Sequence, residues 1–304
     1  TNKRGSVSFV TYSPPPADGV RYDLNGTENI IDFINALTTD ESVVLVFPTG
    51  SSYIAESDAS GTTTNNITIP SNIKSITFYG SPGGKQALLS FKEIKLNDAT
   101  ATIRLEFDNI NIKGFDASAD YILNDNPSVG RVISEFKIAN STVSTFRGVM
   151  RLRGASSVSN YTITNSIVTN IGGYGLLAID AATVTFGVLD FNNSTIYSLV
   201  SSNVLTLKSK PTSVTMTNCT FYDAPSPTKY LVGVDKKTTN IPATFAISNC
   251  LFGSSSPLNN FRGTDIQYET NYVFDSYRTS DFAINSGYPF SGISDYTGTT
   301  TDLF

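Results

Sequence analysis

Charged side chains recur in or beside four short apolar segments, and their carboxylates and amines could take part in acid–base catalysis. The segments are VMRLR (149–153), LLAID (176–180), VLTLK (204–208) and YLVGV (230–234). Alternate residues of each segment, starting with Met150 and Leu152 in the first, are expected to face inward. One outer column then reads Arg153, Asp180, Lys208 and Asp235. A carboxylate or an amine can act as a general base. The candidate catalytic residues are therefore Arg151, Arg153, Asp180, Lys208 and Asp235.

Two interpretations of this column remain open. Alternating charge on neighbouring exposed strands avoids like-charge repulsion, which is worth roughly 0.2–1 kcal/mol per pair and needs no ligand. Alternatively, the column lines a groove whose cations hold an acidic polysaccharide, with Asp180 or Asp235 binding calcium or acting as the base. In that case, further candidate substrate-binding residues are Arg147, Lys210 and Lys237.

A second group of carboxylates lies in the segment GFDASADYILNDNP (114–127), which we interpret as a loop inserted between two repeats. Its candidate metal ligands are Asp116, Asp120 and Asp125. Their spacing does not match the calcium loop of an EF-hand. A solvated loop without a metal is the alternative interpretation.

The composition excludes several kinds of chemistry. The chain of 304 residues contains no His, so it has no Ser-His-Asp or Cys-His nucleophile system and no His-ligated zinc. Only 15% of the residues are charged and the net charge is −5, which argues against a nucleic-acid partner. No apolar stretch reaches the ~18 residues of a membrane-spanning helix. No cofactor is expected with certainty, and calcium is the one candidate.

A repeat along the chain must position these residues. Seven segments combine a short apolar strand with Asn or a related residue, followed by a small residue and then an apolar one. In six of them the Asn falls at 109, 140, 165, 193, 218 and 249, at intervals of 25–31 residues. Repetition at such a period is typical of a solenoid.

The Asn of each repeat is predicted to lie at a corner between two strands. Around Asn140, Phe136 and Ile138 face inward before the Asn, but Ser141 and Val143 face inward after it, so the alternation shifts by one residue. Asn tolerates the left-handed backbone conformation that such a bend requires. Since a third apolar segment follows in each repeat, the sequence predicts an all-β, right-handed parallel β-helix with three short strands per coil.

The ends and the cysteines complete this prediction. Residues 28–37 form an amphipathic pattern with Thr27 as a candidate N-cap, so residues 27–50 should supply a capping helix and a first strand. We expect residues 1–26 to be a linker or extension, 27–304 a single domain, and 253–304 its C-terminal cap. The two Cys residues are either a reactive pair or two small core residues of one column; poor bridging geometry in adjacent strands favours the second interpretation.

The chain resembles the pectate-lyase-like right-handed parallel β-helix superfamily. It looks most like function-unassigned, pectate-lyase-type surface lipoproteins of polysaccharide-degrading gut bacteria. The resemblance rests on the opening GTENIIDFINAL…VVLVFPTGSSY, the ITFYG coil, the Asn-Ser-Thr coils and the closing YTGTTTDLF. It does not carry activity over. The polygalacturonase motifs with an Asp pair, Gly-His and Arg-Ile-Lys are absent, as is the Arg-x-Pro-x-x-Arg signature of pectate lyases.

Three hypotheses of function follow. The favoured one is a glycan-binding protein of a polysaccharide-utilisation system, whose surface Tyr residues and charged column hold sugar rings and uronate carboxylates. The second is a polysaccharide lyase that uses calcium and an Arg or Lys base; the third is an adhesin or structural spike. The resemblance implies an exported protein, in the periplasm or on the outer surface with a lipid anchor upstream, and we expect a monomer.

Overall fold

The fold is an all-β solenoid of about nine turns in which every paired strand runs parallel to its neighbour. The computed structural model describes residues 18–56, 65–235, 238–255, 262–264, 273–284 and 292–303. Apolar side chains fill the interior along its length, from Leu24 to Phe282. None of the described helices is long and apolar enough to cross a membrane.

The strands are short and follow one another in the order of the chain. Their bounds are β1 Val20–Asp23, β2 Ser42–Phe47, β3 Ser52–Ile54, β4 Asn66–Ile69, β5 Ser75–Gly80, β6 Ala87–Ser90, β7 Glu93–Leu96, β8 Thr102–Asp108, β9 Ile110–Lys113, β10 Tyr121–Asp125, β11 Arg131–Ala139, β12 Thr142–Leu152, β13 Ser156–Thr164, β14 Ile167–Ile179, β15 Thr185–Asn192, β16 Thr195–Leu199, β17 Leu205–Leu207, β18 Pro211–Thr217, β19 Thr220–Tyr222, β20 Tyr230–Gly233, β21 Thr244–Ser248, β22 Leu251–Phe252, β23 Arg262–Thr264, β24 Val273–Phe274, β25 Ser276–Arg278 and β26 Ile293–Asp295. One α-helix, α1 Ile30–Asn35, and two 3-10 helices, Thr238–Asn240 and Thr300–Asp302, complete the described elements.

Three faces run along the solenoid. The first face is a ten-stranded sheet in the order β1-β2-β5-β8-β11-β13-β15-β18-β21-β24. On the opposite side of each Asn corner, the second face comprises β3, β6, β9, the start of β12 and β14, then β16, β19, β22, β25 and β26. The third face comprises β4, β7, β10, the end of β12 and β14, then β17, β20 and β23. The predicted three strands per coil are therefore present, although the second and third are continuous in β12 and β14.

The Asn corners are confirmed. All six Asn residues of the repeat have left-handed φ angles, between 47° and 55°. Their side chains also bond along the corner: the Asn193 amide donates to Asn165 Oδ1 at 2.7 Å, and the Asn140 amide donates to Asp108 Oδ1 at 2.7 Å. The stacked amides explain why Asn rather than Gly recurs at this bend.

A hydroxyl ladder lies just inside the Asn corner. Ser166 Oγ accepts from the backbone N–H of Ser141 at 3.1 Å and donates to the carbonyl of Thr164 at 2.7 Å. Ser194 Oγ accepts from the Ser166 N–H in the same way. Cys219 and Cys250 occupy later rungs as buried free thiols, which confirms that they are core residues of the column.

Replacing Ser166 with Ala is expected to lower the free energy of unfolding by about 1–3 kcal/mol, because the buried N–H of Ser141 loses its acceptor. Ser166→Cys should cost less, since the chain itself places Cys on this ladder. Equilibrium urea unfolding of both variants measures the difference. Equal losses in the two variants would show that a thiol does not replace the hydroxyl at this position, and would contradict the expected difference.

The ends differ in detail from the sequence expectations. Helix α1 is six residues long, its N-cap is Asn29 and not Thr27, and the Asn29 side chain accepts from the N–H of Ile31 and Asp32. It buries Ile30, Ile31 and Ile34 and contacts β4. Strand β1 falls within the segment expected to be a linker and pairs with β2. In the expected C-terminal cap, β24, β25 and β26 continue the sheets.

Candidate functional site

The charged column predicted from the sequence lies on the third face. Leu152 pairs with Ile179, and Ile179 pairs with Leu207, and all three side chains point into the core. Because alternate residues of a strand face opposite sides, the next residues, Arg153, Asp180 and Lys208, follow this inward row at the outer edge. The register of the predicted column is therefore correct.

Asp180 is the centre of the ion pairing, but its closest partner is Arg151 and not Arg153. The guanidinium of Arg151 reaches diagonally across to Asp180 Oδ2 with two nitrogens at 2.7 Å. Lys208 Nζ lies 3.5 Å from the other carboxylate oxygen. Burial alone would lower the pKa of Arg151, but the hydrogen bond and charge of Asp180 outweigh it, so the pKa is raised. Arg151 is therefore held in its charged form beside Asp180.

Two tyrosines join these cations in what we call the arginine–tyrosine cluster, which consists of Tyr121, Arg147, Arg151, Tyr174 and Asp180. The Cζ atom of Arg151 lies 3.8 Å from the ring centroid of Tyr174, and that of Arg147 lies 4.9 Å from the same centroid. Both distances are within the range of cation–π attraction. The two rings contact each other with centroids 5.7 Å apart. The cluster is thus a packed unit on the outside of the solenoid.

Arg147 is the cation of this cluster whose charge is available to bind an anionic ligand. None of the described carboxylates forms an ion pair with Arg147, whereas Arg151 is neutralised by Asp180. Tyr121 lies beneath and is only 4% exposed. Burial raises the pKa of the Tyr121 hydroxyl, while the charges of Arg147 and Arg151 oppose that shift. The cluster therefore presents one uncompensated positive charge over aromatic surface.

Gly148 makes room for the cluster. A Cβ at this position would come within 2.8 Å of the Tyr174 Cβ and 3.3 Å of the Tyr121 ring. Gly172 has a similar role in the next coil, where a Cβ would lie 2.1 Å from the carbonyl oxygen of Ala117. This carbonyl belongs to the loop 114–120, so the loop packs directly beside the cluster.

The structure does not bring the three candidate metal ligands together. Asp120 Oδ2 accepts from the N–H of Phe115 and Asp116, at 2.7 and 2.8 Å, and Asp116 Oδ1 accepts from Ser118. The Ser118 hydroxyl is the main cause that lowers the pKa of Asp116. Both carboxylates thus hold their own loop in shape. No group of three or more carboxylate or Cys side chains suited to a metal ion occurs among the described residues.

Asp125 has a different role because residues 121–125 form strand β10 and not a stretch of loop. Asp125 pairs with Leu152 in register, so its side chain faces inward. There it accepts from the guanidinium of Arg131 and, at 2.8 Å, from the Ser156 hydroxyl. Both side chains of the Arg131–Asp125 pair are at most 4% exposed. Burial raises the pKa of Asp125, against the lowering effects of Ser156 and Arg131.

The remaining candidates are more exposed. Arg153 is exposed and borders a polar cleft of about 220 Å³ beside the cluster. Lys210 and Asp235 are also exposed, and Asp235 has a left-handed φ of 54° at the end of the third strand. Lys237 lies outside the described residues.

A second set of charges, on the first face, was not singled out from the sequence. Glu106 is 1% exposed and bonds both to Arg104 and, at 2.7 Å, to Lys137. Arg104 also donates to Glu135 at 2.6 Å. All four charges of this set compensate one another, so we interpret it as structural.

Tyr121 and Tyr174 were also missed as site residues. Tyr121 opens the segment YIL and Tyr174 opens the segment YGLL, so each Tyr comes just before the buried residues of its strand. This position relative to the strand was visible in the sequence. That the two rings meet across Gly148 depends on the strand register, which only the structure gives.

Fold and site together define a parallel β-solenoid that carries a basic, aromatic cluster on one outer face. Residues 59–199 match a family model described as a domain of unknown function, DUF4957. This match includes every residue of the arginine–tyrosine cluster but ends before Lys208. No curated protein and no solved structure matches the chain.

Proposed function

We propose that the third face binds an acidic polysaccharide, with a pectin-like uronate polymer as the favoured ligand. The observation that carries this proposal is Arg147, a cation without a carboxylate partner among the described residues, held over the rings of Tyr174 and Tyr121. A guanidinium binds a carboxylate through paired charge-assisted hydrogen bonds. An adjacent aromatic ring supplies apolar contact for a sugar.

The local charge supports an acidic ligand. The arginine–tyrosine cluster and the charged column beside it carry five cations, Arg147, Arg151, Arg153, Lys208 and Lys210, against Asp180 and Asp235. Their net charge is +3 on a chain whose total is −5. Because the remainder of the molecule repels polyanions, attraction should be confined to this face. The polymer would run along the solenoid axis, since Arg147 and Arg151 lie on β12 and Lys208 follows β17 two coils further on, at roughly twice the 4.8 Å spacing of neighbouring strands.

The proposal also gives the protein a cellular location, and binding of the polysaccharide does not require that the protein cleave it. We infer an exported protein, in the periplasm or at the outer cell surface, that acts as a monomer within a polysaccharide-utilisation system. Lyase activity stays a hypothesis that the same assay tests. Adhesin or structural roles would leave the cluster without a glycan ligand.

Affinity electrophoresis in gels containing polygalacturonate tests the proposal. Wild-type protein should be retarded, and Arg147→Gln should weaken the binding about 10-fold or more, because a charge-assisted hydrogen bond is worth about 1.5–3 kcal/mol. Arg21→Gln is the matched control: Arg21 is an exposed Arg on the first face, and among the described residues it pairs with the equally exposed Asp23.

Two further readings complete this experiment. Fully methyl-esterified pectin should bind much more weakly than polygalacturonate, because esterification removes the carboxylates. Equal retardation by both polymers, or no effect of Arg147→Gln, would contradict the proposal. Rising absorbance from unsaturated uronate products during incubation with calcium would instead establish the lyase hypothesis.

A further inference from the structure

A polar cleft adjoins the arginine–tyrosine cluster and differs from it in charge and in shape. The cleft holds about 220 Å³ and lies at the edge formed by β7, β10 and the turn after β12. The chemistry of its lining comes from Glu93, Lys95, Asp98, Asn124, Arg131 and Arg153.

The charges inside the cleft are largely compensated. Lys95 Nζ pairs with Glu93 at 2.8 Å, and the buried Arg131 pairs with Asp125. Asp98 and Arg153 are exposed, and neither forms an ion pair with any described residue. Three cations and three carboxylates line the space, so its net charge is zero.

Asn124 adds an unsatisfied acceptor. Its Oδ1 atom is buried, and none of the described residues donates a hydrogen bond to it. A buried acceptor without a partner costs about as much as a lost hydrogen bond, so a ligand donor that reaches it after a small shift of the side chain gains that interaction. The cleft thus offers donors on Arg153 and acceptors on Asp98 and Asn124.

We propose that this cleft binds one neutral, hydroxyl-rich sugar unit. Sugar hydroxyls both donate and accept, so one ring can satisfy Arg153, Asp98 and Asn124 together. A uronate would satisfy Arg153 but bring its carboxylate close to Asp98 and Glu93. A cation would meet Arg153 and Arg131. Zero net charge and mixed donors and acceptors therefore favour a neutral sugar.

The position of the cleft ties it to the charged face. Asn124 pairs in register with Arg151 and lies on the same strand as Tyr121, so the cleft directly adjoins the cluster. This inference rests on the proposed function, because both assume that a glycan binds on the third face. It adds that the ligand is a mixed polymer, in which an acidic backbone carries neutral sugars as branches or ends.

Binding to two kinds of polymer separates the two sites. The probes are polygalacturonate, which carries only acidic units, and four neutral polymers: galactan, arabinan, xylan and dextran. We expect wild type to bind at least one neutral polymer. Arg153→Met and Asp98→Ala should each weaken that binding at least 5-fold, and Asp98→Ala, which lies outside the charged column, should change polygalacturonate binding less than 2-fold. Arg147→Gln should show the reverse pattern. Circular dichroism and thermal melting check that each variant is folded.

Each outcome decides one of the two claims. If no neutral polymer binds, or if Asp98→Ala weakens polygalacturonate as much as the neutral polymer, the neutral-sugar cleft is wrong. If cleft variants weaken a neutral polymer while polygalacturonate is not bound at all, the inference stands and the acidic-glycan proposal fails. If polygalacturonate binds through Arg147 and the cleft variants change nothing, the proposed function stands alone.

Discussion

Replacing Arg131 with Met is expected to lower the free energy of unfolding by about 3–5 kcal/mol, because it leaves the carboxylate of Asp125 buried without its cation. The guanidinium also donates to the carbonyls of Thr100, at 3.1 Å, and Asn97, at 2.8 Å. Arg131 therefore joins two turns of the solenoid at the base of the third face. Equilibrium urea unfolding at pH 7 measures the loss.

Acid should return some of this stability. The pKa of Asp125 is already raised in the folded protein by burial, and losing Arg131 removes one of the effects that oppose the shift. For a carboxyl whose folded pKa is above its unfolded value, stability is lost as pH rises through the folded pKa and is fully present below the unfolded one. The deficit of Arg131→Met should therefore shrink between pH 7 and pH 4. Arg21→Met, which breaks the exposed pair with Asp23, should change stability by less than about 1 kcal/mol and serves as the control. A loss as small as this control would contradict the role of the buried pair.

Phe107→Ala is expected to cost about 3–5 kcal/mol, since it removes a fully buried ring from the interior column of the first face. The Phe107 ring stacks on that of Phe78 with centroids 4.9 Å apart and planes inclined by 11°. It also contacts Phe136, with centroids 6.2 Å apart. Each coil contacts mainly its neighbours, so a cavity here weakens two interfaces between coils.

A smaller deletion in the same region calibrates this loss. Ile163 lies in the same inward column two coils further on and is also fully buried. Ile163→Val removes one methyl group and should cost about 0.5–1.5 kcal/mol. Urea unfolding of both variants, followed by circular dichroism, gives the comparison. Similar losses for the two variants would mean that the solenoid collapses around the Phe107 cavity and that the stacked rings contribute little.

The repeat made most of the fold predictable. A bend that shifts the alternation by one residue needs a left-handed residue, and Asn140, like the other five, supplies it. The columns on either side of the bend followed directly, so the inward positions and the burial of both Cys residues were predicted correctly. Local backbone chemistry and a period of two sufficed for these inferences.

Prediction failed where a residue's role depends on its neighbours in other coils. Residues 121–125 contain too little alternation to distinguish a strand from a loop, and Asp125 occupies an inward position that normally holds an apolar residue. Its burial depends on Arg131, which the sequence does not link to it. Helix α1 was shorter than the amphipathic pattern suggested, because Asn29 caps it two residues after Thr27.

The candidate site was predictable in its place but not in its contacts. The register of Arg153, Asp180 and Lys208 followed from the repeat. That Asp180 bonds to Arg151 depends on the reach of a long side chain across a strand. Arg147 is free to bind a ligand because Asp180 pairs with Arg151 instead. This choice depends on how the side chains pack around Gly148.

Protection of individual arginines by a bound polymer tests the central claim most directly. The protein is treated with phenylglyoxal, an arginine-specific reagent, with and without polygalacturonate, and modification at each Arg is measured by mass spectrometry. The proposal predicts that the polymer protects Arg147 and Arg151 on the third face and leaves Arg21 on the first face and Arg278 on the second face unchanged. Equal protection at all four positions, or protection of Arg21 with none at Arg147, would contradict the claim that the third face is the binding surface.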